Sequence, residues 1–358
     1  MFWILGGDAL AQAFKKMSSG GNGFVSSIGA FFGDQLDHVE WVGFRFYDLI
    51  FPTFVFIVGV SLVFSLTKLV EREGKAAAHR RVFRRFALLF FLALLYSGGV
   101  SRAWPDIRLL GVLNRIALCY LFASLLFLNF RWRGLVAACV SLLVGYWALM
   151  TFVPVPEIGA GSFAPGANLA NWIDANYLSG KRWDGTWDPE GILSTLPAIA
   201  TCLLGVLAGL LLQNTRVDEK RKSLWLIGAG VLMVAAGFAW GLQFPVIKKI
   251  WTSSFVLVAG GYSAMLLGAF HYVIDVQGRQ RWATPFIWIG ANAITLYFCE
   301  NIFNFEKLAG RLVGGDVSSF LDRHLVAGAG HFVAACVGLG LAVALAGFLY
   351  RRKIFLRV

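Results

Sequence analysis

His38, Glu40, Arg45 and Asp48 fall within eleven residues in His38-Val-Glu-Trp-Val-Gly-Phe-Arg-Phe-Tyr-Asp48. An imidazole can exchange a proton near neutral pH without being fully buried, so His38 is a candidate general base as well as a candidate solvated bystander. Arg45 and Asp48, three apart, would share a face of a helix and could pair, a structural role as readily as a functional one. Further along, Ile-Arg108-Leu-Leu-Gly-Val-Leu-Asn114-Arg115 places two guanidinium groups seven residues apart, on one face of a helix that begins there. Such a fork suits a carboxylate, phosphate or pyrophosphate, or simply an internal carboxylate partner. In Asp188-Pro-Glu190-Gly-Ile, Asp188 precedes a proline suited to the first helical position and reads as a helix N-cap, with Glu190 in the first turn. Asn292, Tyr297 and Glu300 occur in Gly-Ala-Asn-Ala-Ile-Thr-Leu-Tyr-Phe-Cys-Glu, where Tyr297 and Glu300 share a face and interhelical hydrogen bonding is the ordinary role.

The elements that must carry these residues are apolar runs. Of 358 residues, 58% are hydrophobic and 15% charged, and the mean hydropathy is +0.68, against roughly 45–50% apolar and about 25% charged in soluble domains. Runs of bilayer-spanning length, about 20 residues, occur near 46–66, 86–102, 109–130, 134–153, 191–213, 223–242, 252–274, 283–303 and 326–350, and Met1 to Phe14 forms a shorter one. The expected architecture is an all-α, polytopic transmembrane bundle of about ten helices, the first shortened, in one domain over residues 1–358. No basic n-region or cleavage site marks a signal peptide.

The net charge of +12 arises from 32 Lys and Arg that lie in short clusters between the runs, the pattern of cytoplasmic loops and not of a nucleic-acid face. One set of alternate loops holds Lys68, Arg72, Lys75, Arg80, Arg81, Arg84, Arg85, Arg131, Arg133, Arg216, Lys220, Arg221, Lys222, Arg279, Arg281, Arg351, Arg352, Lys353 and Arg357. The opposite, longer loops hold only Lys15, Lys16, Arg102, Arg108, Lys181, Arg182, Lys248, Lys249, Lys307, Arg311 and Arg323. This bias predicts a multi-pass protein of the cell (inner) membrane with both termini in the cytoplasm, and long outer stretches at 15–42, 154–190 and 304–325. An ionisable group at the bilayer centre costs roughly 2.5–3.5 kcal/mol, so the few polar residues inside the runs tend to face the bundle interior. The five cysteines lie in apolar runs without metal-site spacing, and no P-loop, GxSxG or HExxH sequence is present, so no metal is expected.

With these residues in order, the segments His38-Val-Glu-Trp-x-Gly, Asp48-Leu-Ile-Phe-Pro-Thr-Phe-Val-Phe-Ile-Val-Gly-Val-Ser, Ile-Arg108-Leu-Leu-Gly-Val-Leu-Asn-Arg, Asp188-Pro-Glu-Gly-Ile and Gly-Ala-Asn292-Ala-Ile-Thr-Leu-Tyr resemble the heparan-alpha-glucosaminide N-acetyltransferase family over nearly the whole chain. The resemblance implies a transmembrane acyltransferase that takes acetyl from cytoplasmic acetyl-CoA, a co-substrate, and delivers it to an amino sugar or glycan on the far side. The family's catalytic histidine maps onto His38. Its asparagine near the outer end of the first core helix would be Asp8 here, a departure in which a carboxylate could orient His38 and offset its positive charge. The family's Leu-Asp-x-x-Arg-Gly opening is also missing, so Met1 matches an internal family position and predicts a start site placed too late or a shortened chain.

On this reading His38 acts as general base or transient acetyl carrier, Asp8 orients it, and Arg108 and Asn114 line the site, with Asp48, Arg115, Glu190, Asn292, Tyr297 and Glu300 as further binding candidates. Arg84 and Arg85, with Arg80 and Arg81, lie where CoA phosphates would arrive, although a positive-inside loop explains them equally. Expected partners are acetyl-CoA, a carbohydrate acceptor and the lipid bilayer, with no nucleic acid. The 40 glycines permit close helix packing within one chain or in a homodimer. The rival reading is a secondary transporter that uses Asp48, Arg108 and Glu300 as an ion or proton relay.

Overall fold

The computed structural model describes residues 1–18, 24–325 and 328–355. In chain order its α-helices are α1 (Asp8–Ser18), α2 (Phe24–Gln35), α3 (Ile50–Tyr96), α4 (Val112–Asn129), α5 (Trp132–Phe152), α6 (Leu169–Tyr177), α7 (Thr195–Gln213), α8 (Glu219–Gly241), α9 (Ser253–His271), α10 (Thr284–Ala291), α11 (Ala293–Phe303), α12 (Phe305–Val313), α13 (Asp316–His324) and α14 (Ala329–Arg351). Among the described residues there is no β-strand, only isolated bridges. The predicted all-α polytopic class holds.

Seven of these helices are long and apolar enough to cross a membrane, and an eighth span results if the bent pair Arg281–Ala291 and Ala293–Phe303 counts as one. The sequence-based ten is recovered only by two further counts. The runs at 46–66 and 86–102 both lie in α3, which Gly74 breaks with φ 83 and ψ 172. That left-handed φ is one that glycine adopts without a Cβ penalty, so two helices follow each other with no separate loop. The first run is short: a π-helical turn, Trp3–Gly7, leads into the eleven residues of α1. The stretches 15–42, 154–190 and 304–325 also carry structure of their own, namely α2, then α6, then α12 and α13.

The chain divides into two compact units. The first comprises Met1–His38, Arg45–Tyr47 and Gly278–Arg357. Here α14 packs against α1, α10, α12 and α13, around a core of Leu5, Ile289, Leu296, Phe305, Ala342 and Ala346. The second comprises Val39–Phe44 and Asp48–Gln277. Its centre is α7, flanked by α3, α4, α5 and α9, with α8 laid along α9. Small residues set these distances. A Cβ at Gly59 of α3 would collide with the carbonyl of Cys202, and one at Gly205 of α7 with the carbonyl of Phe56. Gly205-Val-Leu-Ala-Gly209 is thus a small-xxx-small face that lets two backbones touch where apolar burial alone gives little drive in lipid. On the α8–α9 side, Gly230 and Gly261 meet in the same way.

Candidate active site

In the first unit, His38 is exposed at the end of a turn that follows α2, with its backbone N–H donating to Asp37 Oδ1 at 3.0 Å. Its ring lies 4.6 Å, centroid to centroid, from the ring of Tyr47. The Tyr47 hydroxyl donates to Asp8 Oδ2 at 2.8 Å, and Asp8 Oδ1 accepts the backbone N–H of Ala9. Tyr47 thus links the imidazole to Asp8, the carboxylate that stands where the family has an asparagine and that was expected to orient His38. Nothing in the residue pattern singled out Tyr47; its one sequence signal is its position directly before Asp48. Arg45 Nη1 donates to the His38 carbonyl at 3.4 Å, and Phe46 N–H donates to Gln35 Oε1, so this turn is fastened at both ends.

Behind Asp8 a cavity of about 360 Å³ is lined by Gln12, Glu300, Glu306 and His331 among others. Glu300 and Tyr297 do lie on one face of α11, as their spacing requires. Glu300 Oε2 is buried with no hydrogen-bond partner among the described residues. Asn292 sits at the 71° break between α10 and α11 and is 2% exposed. Both of its amide atoms are buried without a hydrogen-bond partner among the described residues, so the interhelical hydrogen bond expected of it is not made.

The second unit gathers the charged residues of the other motifs. The helix expected to begin around Arg108 starts instead at Val112, and Arg108 stands before it, in a bridge to Gly180. Arg108 and Arg115 nevertheless converge on one loop. Arg108 donates to both Asp188 oxygens, at 2.7 and 2.6 Å, and to Glu190 Oε2 at 2.5 Å. Arg115, fully buried, donates from Nη2 to the Gly191 carbonyl at 3.3 Å and to Ser194 Oγ, and stacks its guanidinium 5.0 Å over Trp251. Asp188 is therefore not an N-cap. The helix starts at Thr195, and residues 188–194 form turns, because Asp188 spends its carboxylate on Arg108 and on the N–H groups of Trp183 and Glu190. Asp174, on α6, completes the cluster by accepting the N–H groups of Ile192 and Asp188. The sequence reading did not mark it.

Three carboxyl groups here face two guanidinium groups. Burial pushes the Asp174 carboxyl up to about 6, and burial likewise raises that of Glu190, against the pull of Arg115 and Arg108. Asn114 Oδ1 accepts the N–H of Gly111, the residue that precedes the first turn of α4. Its Nδ2, together with Nε and Nη1 of Arg115, has no partner among the described residues. These are buried donors, which in a protein interior invite a water or an anionic oxygen.

Asp48 is 1% exposed and pairs with Lys248 at 3.2 Å, besides accepting the Val39 N–H. A 3₁₀ turn, Phe46–Leu49, opens α3 and carries Asp48. Burial pulls the Lys248 ammonium down, against the pull of Asp48. The Glu-Trp-x-Gly part of the first motif is an anchor. Trp41 Nε1 donates to the Phe163 carbonyl at 2.8 Å and its ring meets Trp187 edge-on at 5.5 Å. Gly43, at φ 129, donates to the Val246 carbonyl in a conformation that L residues rarely adopt. On α3, Arg84 is exposed, and Arg85 lies with its guanidinium 4.7 Å over Tyr120 and its Nε buried without a partner among the described residues.

Residues 24–237 match the profile of the family described as heparan-alpha-glucosaminide N-acetyltransferase, catalytic. The chain belongs to that family. Two curated relatives are the heparan-alpha-glucosaminide N-acetyltransferases of Homo sapiens and Mus musculus, 28% and 26% identical, each over 90% of this chain. The alignments cover 55% and 56% of those proteins, so the chain spans about half the length of the curated relatives it matches. The family match runs through the His38 motif, the Arg108-to-Arg115 motif and the Asp188-to-Glu190 loop, and stops before Asn292, Tyr297 and Glu300.

Proposed function

We propose that this chain is a membrane acetyltransferase that moves the acetyl group of acetyl-CoA onto the amino group of a sugar or glycan, with His38 as the proton acceptor. The observation that carries the reading is the arrangement of an accessible imidazole against Tyr47, whose hydroxyl is held by Asp8, in a chain of an acetyltransferase family. In the reaction the amine nitrogen attacks the thioester carbonyl carbon and His38 takes the proton that the nitrogen must lose. The carbon–sulfur bond then breaks, and the CoA thiolate leaves with the proton that His38 returns to its sulfur. Alternatively the imidazole itself accepts the acetyl group before the amine does. Asp8 acts through Tyr47 and favours the positive charge that the imidazole acquires. The loop charges favour cytoplasmic termini in the cell membrane, and the family resemblance favours a donor bound on the inner side and an acceptor on the outer side.

The deciding experiment incubates the purified chain with labelled acetyl-CoA and a panel of amino sugars and reads products by mass spectrometry. Acetylated sugar and stoichiometric CoA are expected. His38→Ala should reduce turnover by ~10²–10⁴-fold without changing expression or melting temperature. Normal turnover in that variant would remove His38 from the mechanism.

The 71° break at Asn292, with its unpartnered amide, supports a second reading, because transporters build solute sites at broken helices. Uptake of a solute into proteoliposomes in the absence of acetyl-CoA, with no acetylated product, would favour it.

A further inference from the structure

In the first unit, the C-terminal half of α14 and the Trp288 ring of α10 enclose a groove of about 480 Å³, lined by Gly340, Ala344, Gly347, Arg351 and Arg352. Two glycines shape it. Gly347 lets the indole lie against the helix, since a Cβ there would stand 2.9 Å from a Trp288 ring carbon. At Gly340 a Cβ would meet nothing within 4 Å, so the space beside it is open. At the other end the Arg351 guanidinium is held 5.4 Å over the Trp288 ring and that of Arg352 lies 5.8 Å over Phe348. Neither pairs with a carboxylate among the described residues.

Only 28% of the apolar window of α14 is buried, so the helix presents most of its surface to its surroundings, which for a span of this composition are lipid tails. From Gly340 to Arg351 is eleven residues, or ~16 Å along the axis at about 1.5 Å per residue. One leaflet of a hydrocarbon core about 30 Å thick is roughly that deep. The apolar part of the groove thus spans one leaflet, with both positive charges at its polar edge.

We propose that this groove binds an anionic phospholipid, with one acyl chain along Gly340 to Gly347 and the phosphate between Arg351 and Arg352. Guanidinium groups match phosphate oxygens in forked pairs and are weakly hydrated, which suits a headgroup boundary. The two full positive charges outweigh the partial negative charge of the helix C-terminus. A zwitterionic headgroup brings its own cation, which two adjacent arginines repel. An inorganic phosphate ion would leave the apolar length of the groove unfilled.

The full chain, purified in detergent, can be offered equimolar phosphatidylglycerol and phosphatidylcholine and examined by native mass spectrometry. Retention of phosphatidylglycerol at least fivefold above phosphatidylcholine is expected. The double variant Arg351→Gln, Arg352→Gln should lose that preference, whereas the corresponding double Lys variant should keep most of it. Gly340→Leu, which grows into open space, should reduce phosphatidylglycerol retention while the melting temperature stays unchanged. Equal retention of the two lipids by the unmodified protein overturns the proposal, and that comparison decides it if a variant fails to fold. Displacement of phosphatidylglycerol by millimolar inorganic phosphate, or unchanged retention in both the Gln and Leu variants, overturns it as well.

Discussion

Tyr47 is the side chain between the imidazole and the carboxylate that the family motif places apart in sequence. Tyr47→Phe keeps the ring against His38 and removes only the hydroxyl that donates to Asp8. A hydrogen bond to a charged group contributes about 1.5–3 kcal/mol, so kcat should fall roughly ten- to a hundredfold, with KM for the amino sugar and the melting temperature little changed. An equal loss in the double variant with Asp8→Asn would show that both act through the same contact. Asp174 gives a second prediction at this scale. Its carboxyl is raised to about 6 in the folded protein, against about 3.9 for an unperturbed aspartate. The folded state therefore holds the proton more tightly, and its stability falls as pH rises from about 4 to about 6, then levels off. Melting curves at pH 4.5 and pH 7 should show a larger loss for the unmodified chain than for Asp174→Asn, in which this titration is absent. Asn114 and Arg115 were legible as residues of interest because polarity in an apolar run is costly, and His38, Arg108 and Glu190 because of their residue types and motifs at the ends of such runs. Tyr47, Asp174 and Lys248 were not, because their partners lie 39, 18 and 200 residues away along the chain, and no local period records such distances.

Among elements, α7 packs against α3, α4, α5, α8 and α9 in the second unit, and its glycine face decides how closely α3 can approach. Gly205→Leu would drive a side chain into the backbone carbonyl of Phe56. Overpacking costs typically 1–3 kcal/mol and more when backbone must move, so this variant should show a lowered melting temperature in detergent and reduced yield. Gly228→Leu on α8, where an added Cβ meets nothing within 4 Å, should behave like the unmodified chain and serves as the control. The apolar runs were legible as helices because about 20 consecutive apolar residues admit few other structures. Their ends were not. The start of α7 moved from 189 to Thr195 because Asp188 is drawn to Arg108, 80 residues earlier. The start of α4 likewise moved from around Arg108 to Val112, because Arg108 bridges to Gly180 before the helix begins.

For the whole chain, the unequal distribution of Lys and Arg over alternate loops makes a prediction about orientation. A fluorescent or phosphatase reporter fused after Val358 should report a cytoplasmic location, and an external signal would reverse every side assigned above. Composition alone determined that the chain is a helical membrane protein, because a bilayer core leaves backbone polar groups no partner outside helices or closed barrels, and 58% hydrophobic residues in long runs meet that demand. Motif order alone also pointed to the family. What only the tertiary structure decided is which groups pair: Arg108 with Asp188 and Glu190, Lys248 with Asp48, and the Tyr47 hydroxyl as donor to Asp8. The reason is physical. A buried charge requires a partner within about 4 Å wherever the chain can supply one, and proximity in space is set by helix packing at glycine contacts, not by spacing along the sequence.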